Sequence, residues 1–170
     1  MRVPRAEPGS TARRAWHPSI RRASAVFLSG LAGALSMLAV GWVFNKIEAA
    51  IPSIPAEYKN GPGFRTWPGW TEGYMLAHPI WFGFVFAAGF ALVARGRALG
   101  SYVSAGSRGA AYGGLVFLVG SLPVFVLVYA SFRVSPELVA ISWAARNLAQ
   151  YVIAGVFVGL VARATARPDT

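Results

Sequence analysis

The chain contains no cysteine, which excludes disulfides, thiolate metal sites and cysteine nucleophiles. Charge is also scarce: 13% of the 170 residues are Asp, Glu, Lys or Arg, about half the share of an ordinary soluble domain. The acids are only Glu7, Glu48, Glu57, Glu72, Glu137 and Asp169. None lies near the middle of an apolar stretch, so neither a paired-carboxylate site nor a buried proton-carrying acid is expected. Two histidines, His17 and His78, are too few and too separated for a zinc set. Phosphate-binding glycine motifs, nucleophile elbows and H-E-x-x-H are absent. These absences describe a chain without catalytic residues, metal or cofactor.

What the chain has is apolar length. It is 55% hydrophobic, with a mean hydropathy of +0.50. Four stretches, 23–46, 72–95, 109–132 and 137–163, are each long enough to cross a hydrocarbon layer of about 30 Å. The expected fold is all-α: a polytopic membrane protein with four transmembrane helices in an antiparallel bundle. Residues 1–22 carry six arginines and three prolines without apolar periodicity, and read as a disordered basic cytoplasmic tail. Residues 164–170 form a second cytoplasmic tail. Arg21-Arg22 lacks the apolar pair of a twin-arginine signal, and the apolar run after it is too long for a cleaved leader. The first span is thus an uncleaved anchor.

The net charge of +10 would suggest nucleic acid in a soluble protein. Here the arginines gather at the ends of the apolar stretches, which the topology of membrane proteins explains without nucleic acid. The N-terminal tail, the 95–108 connection and the C-terminus are arginine-rich, while the opposite connections hold only Lys59, Arg65 and Arg133. By the positive-inside rule both termini are cytoplasmic.

Each connection and span carries its own signals. In the long connection, 49–71, Pro52, Pro55, Pro62 and Pro68 exclude a continuous helix, and Trp67, Trp70 and Tyr74 read as headgroup-level anchors. Gly30, Ala34 and Gly41 form a small-residue stripe on the first span. His78-Pro79 predicts a kink in the second span. Gly96 to Ser107 reads as a flexible basic loop. In the third span Pro123 should break the helical ladder near the carbonyl of Val119.

The last stretch is the organising one. Ser135-Pro136-Glu137 supplies a capping hydroxyl, a first-turn proline and an acid facing the positive end of the helix dipole. Ser142, Trp143, Arg146, Asn147, Gln150 and Tyr151 share one half of its wheel, with Ile141, Leu148 and Val152 opposite. That polar half must face protein or water. Arg146 lies near mid-span with no acid expected at its depth. The short turn at 133–135 makes spans three and four a hairpin. Centring that turn pairs positions whose numbers sum to about 269. Val119 then stands level with Gln150, and Pro123 with Arg146.

Gly109-Ala110-Ala111-Tyr112-Gly113, Pro123 and Gly155-Val156-Phe157-Val158-Gly159 give the chain the plan of a known group. It resembles small four-helix bacterial inner-membrane proteins of unknown function. The resemblance implies the architecture and a bacterial inner (plasma) membrane location, and no activity. Its expected role is that of a non-enzymatic accessory or structural subunit. Its partners would be the lipid bilayer and either a second copy or another membrane protein. The alternative is a binding or transport protein with a small outer-facing pocket for an anionic or amphipathic ligand. That pocket would be lined by Arg146, Asn147, Gln150, Trp143, Tyr151 and His78, with Glu48 and Glu72 near its rim.

Overall fold

A computed structural model describes residues 18–53, 70–94, 104–132 and 137–166, with backbone alone at 18–19, 70–76, 128, 131 and 132. The expectations for the tails before residue 18 and after 166, for the connections 54–69 and 95–103, and for the turn 133–136 lie outside the described residues. So do the side chains of Trp67, Trp70, Glu72 and Tyr74. Among the described residues there is no strand. The helices are α1 (Pro18–Ala50), α2 (Trp70–Val93), α3 (Ala105–Val116), α4 (Leu122–Phe132) and α5 (Glu137–Ala166). Phe117–Ser121 joins α3 to α4 as a π-turn, so the two form one rod.

Three of these rods are long and apolar enough to cross a membrane: Ile20–Ala50, Ala105–Leu127 and Glu137–Ala166. The described apolar part of α2, Ala77–Val93, is shorter. Large apolar side chains point outward along every rod, including Trp42, Trp81, Leu92, Val119 and Ile141. Trp81 is 72% exposed and Val119 70%. In water such a surface would be untenable.

Local chemistry explains where the helices begin and bend. Helix α1 starts at Pro18, ahead of the expected 23, because proline suits a first helical position. Arg21 and Arg22 therefore belong to the helix. It also runs past residue 46 to Ala50, which carries Glu48 on helical backbone. Helix α3 starts at Ala105, four residues before Gly109. Ser104 Oγ accepts from the Ser107 amide at 3.0 Å, while the Ser104 amide donates to Ser107 Oγ at 3.1 Å. This reciprocal cap satisfies amides that the end of a helix leaves open. Helix α2 continues through Pro79.

The π-turn follows from Pro123. A proline ring would press on the carbonyl four residues earlier, that of Val119. Widening the turn relieves this: the Leu122 amide reaches back to the Phe117 carbonyl, and the Phe117 amide is shared between the carbonyls of Gly113 and Gly114. Pro123 thus disturbs the ladder around Val119 by expansion.

Helix α5 packs most extensively on α3 and on α1, and α1 packs in turn on α2. The α3–α5 contact is backbone against backbone. A methyl group added at Gly109 would overlap the Gly155 carbonyl, one at Gly113 the Tyr151 carbonyl, and one at Gly159 the Ala105 carbonyl. These pairs run antiparallel, and their numbers sum to 264. The hairpin register is therefore five residues from the expected 269. The π-turn takes up about one extra residue of those five, and Val124, Val126 and Leu127 of α4 all lie exposed. Val119 is likewise turned outward and is not a partner of Gln150.

Between α2 and the α3–α5 pair the filling is aromatic. Phe86 and Phe90 meet Tyr112 edge-on at 4.8 and 5.5 Å, and Phe82 stacks on Tyr151 at 5.0 Å. Phe86, Phe90, Tyr112, Phe117, Tyr151, Ala154 and Val158 form the buried core with Met37 and Ala87.

Candidate functional site

The small-residue stripe of α1 is split: Gly30 and Ala34 lie against Phe84 and Gly83 of α2, while Gly33 and Gly41 let α5 approach closely enough for polar side chains to cross. Gly33 lies against Val158, and Gly41 against Gln150 and Arg146. A methyl at Gly41 would sit 3.0 Å from Gln150 Nε2 and 3.1 Å from Arg146 Nη2. The antiparallel run from Gly33 opposite Val158 continues to Asn45 opposite Arg146 and Glu48 opposite Ser142. Helical spacing thus delivers five polar side chains of α5 and α1 to a single seam.

Their geometry is specific. Ser142 Oγ donates to Glu48 Oε1 at 2.7 Å. Arg146 Nη1 donates to Asn45 Oδ1 at 2.7 Å and lies 4.0 Å from Glu48 Oε2. Gln150 Nε2 donates to the Met37 carbonyl at 2.9 Å. The Glu48 side chain is 4% exposed and that of Arg146 19%. A carboxylate so enclosed is tolerable only because a hydroxyl and a guanidinium face it. The expectation that no acid shares the depth of Arg146 is corrected by Glu48. The correction follows from the length of α1, whose last turns carry Glu48 down the face of α5.

The six candidate residues do not converge on one pocket. Arg146 and Gln150 face α1. Asn147 donates from Nδ2 to the Trp143 carbonyl on its own helix at 2.9 Å. Tyr151 turns to the core, where its hydroxyl accepts from Ser121 Oγ at 2.9 Å. His78 is exposed, its ring 5.9 Å from that of Phe82. The polar half of the α5 wheel is therefore divided between two neighbours: α1 takes Ser142, Arg146 and Gln150, and the aromatic core takes Tyr151.

Sequence reasoning missed Asn45, the Met37 carbonyl and Glu48 as partners. The signal was present as matched spacing. Asn45 and Glu48 are three apart on α1, and Ser142 and Arg146 four apart on α5. One helical turn on each side supports two contacts once the helices are antiparallel. Chemically, the seam is a closed set of donors and acceptors that fixes one helix against another. No protein-family model, characterised protein or solved structure matches the chain.

Proposed function

We propose that this chain is a non-enzymatic integral membrane protein, an accessory or structural subunit of a bacterial inner membrane, and that its α1–α5 polar seam is a structural clasp. One observation carries the proposal: Arg146 and Gln150, the two groups best suited to grip an anionic ligand, are already engaged by the chain's own α1. Arg146 has Asn45 and Glu48, Ser142 has Glu48, and Gln150 has the Met37 carbonyl.

The full arrangement is a four-span antiparallel bundle with both termini cytoplasmic. Helix α2 supplies the fourth span. Its 24 residues make about 36 Å of helix, enough for the hydrocarbon core. Its direction is supported by the core, where Phe90 lies with Tyr112 and Phe82 with Tyr151 and, through it, Phe117. Orientation rests on arginine placement. Arg21, Arg22, Arg108 and Arg163 stand at one end of the rods, and Glu48 and Glu137 at the other.

The clasp sits near the outer boundary. Lys46, next to Asn45, holds its Nζ 5.7 Å from the centre of the exposed Trp42 ring. A tryptophan–lysine pair of this kind belongs at headgroup level. Arg146, opposite Asn45, shares that level. Its desolvation is then far smaller than at mid-membrane.

The test replaces the clasp by apolar groups of similar volume, Glu48→Met with Arg146→Leu, and compares the membrane proteins that co-purify with parent and variant. A structural clasp predicts a folded variant with an unchanged set of partners. A variant that melts like the parent but loses its partners would sink the clasp and assign the seam to partner contact.

A further inference from the structure

The cytoplasmic end of α1 carries a graded surface that the clasp does not use. Arg21, Ser24 and Leu28 fall within about 60° of one another at 100° per residue. All three are exposed. Beside them, Ala23, Ser24, Phe27 and Leu28 line an open groove of about 510 Å³. The Phe27 ring, 57% exposed, also leans on Phe84 of α2 at 5.4 Å, so the groove follows the α1–α2 seam. From the end of the helix inward the order is guanidinium, hydroxyl, apolar trough.

The surroundings are cationic. Arg22 is exposed one position away. The register that sets Gly33 against Val158 brings Arg163 level with Leu28. Among the described residues no acid lies here.

We propose that this groove is a binding site for an anionic phospholipid. Arg21 takes the phosphate, Arg22 adds its charge from about 100° round the helix, Ser24 lies at the glycerol, and one acyl chain runs along Phe27 and Leu28. The vertical order of charge, hydroxyl and hydrocarbon matches that of the lipid, and a zwitterionic headgroup would bring its own cation against the arginines. Polybasic surfaces gain about 1 kcal/mol per arginine from anionic lipid, or about fivefold in affinity for each. The proposal rests on the membrane reading above and not on which face is cytoplasmic.

The experiment measures melting of the full chain in neutral detergent with added phosphatidylglycerol or phosphatidylcholine of equal chain length. Saturating phosphatidylglycerol should raise the midpoint by about 5 °C or more, and phosphatidylcholine should not. R21Q/R22Q, compared with its own lipid-free midpoint, should lose the shift, and R21K/R22K should retain most of it. Equal shifts from both lipids would overturn the site. So would an equal shift from inorganic phosphate or glycerol phosphate, since neither fills the trough. A dimer in detergent that Phe27→Ala dissociates would assign the groove to a second copy and overturn it as well. Alkaline extraction of membranes tests bilayer insertion separately. A chain that stays inserted but shows no lipid selectivity sinks this proposal alone.

Discussion

Ser142 donates a 2.7 Å hydrogen bond to Glu48, and through that carboxylate α5 is tied to the last turns of α1. The same carboxylate faces Arg146 at 4.0 Å. Removing either ion leaves the other enclosed and uncompensated. Glu48→Leu and Arg146→Leu should each destabilise by about 2 kcal/mol, reduced from the value of a fully buried pair because Arg146 retains some solvent contact. The double variant should recover at least about 0.5 kcal/mol relative to the sum. Reversible unfolding in mixed micelles measures the cycle, and strict additivity would show that the two ions are not coupled. The intuition that leucine at 146 relieves an isolated charge fails once Glu48 is its neighbour.

The glycine contacts make a sharper prediction through a matched pair. Gly155→Ala places a methyl into the Gly109 carbonyl and forces α3 from α5, a loss of about 1–3 kcal/mol. Gly120→Ala meets open space. It should be neutral or gain up to about 1 kcal/mol in helix propensity. Melting temperatures of the two alanine variants decide the matter, and equal effects would refute the interface.

Register is open to crosslinking. A methyl at Gly106 lies 3.6 Å from Val156 Cγ1, so Gly106→Cys with Val156→Cys should form a disulfide under mild oxidant. Val119→Cys with Gln150→Cys should not, since Val119 faces outward and Gln150 faces α1. Gel mobility before and after reduction reads the result. The opposite order would restore the register centred on the turn.

Topology can be tested with single cysteines at Ser104 and Asn60, probed by a membrane-impermeant thiol reagent. Labelling of Asn60→Cys alone in intact cells, and of both after lysis, is expected from the arginine asymmetry. Labelling of Ser104→Cys in intact cells would reverse the orientation.

Tyr151 separates packing from hydrogen bonding in the core. Tyr151→Phe keeps the Phe82 stack and gives up the Ser121 hydroxyl, a loss of about 1 kcal/mol. Tyr151→Ala removes the ring as well and should cost about 3–5 kcal/mol. Near-equal melting of the two variants would show that the ring does not fill the core.

Helical class, the apolar rods and the division of α5 into polar and apolar halves were legible because each is written in local periodicity. Pro123 also announced a disturbance at Val119, since a proline acts on the turn that precedes it. Glu48 was not legible as a partner of Arg146. One wheel says that Arg146 needs protein beside it but not which helix provides it, and the answer depends on how far α1 continues. The register of α3 on α5 was hidden for a related reason. Counting outward from the turn assumes uniform rise, and the π-turn breaks that assumption by about one residue of the five-residue offset. Tyr151 and Arg146 share a half-wheel, yet two different neighbours divide them.

The π-turn at Phe117–Ser121 makes this part of the chain sensitive to length and indifferent to lettering. Gly120 touches nothing beyond its own helix, so its identity carries little information. Its presence as a counted residue does. Deleting it would close the widened turn to an ordinary α-turn. Pro123 would then be pushed back against a carbonyl with no room to yield. Among descendants of this chain, substitutions at 118–120 should accumulate freely while single-residue deletions there are purged.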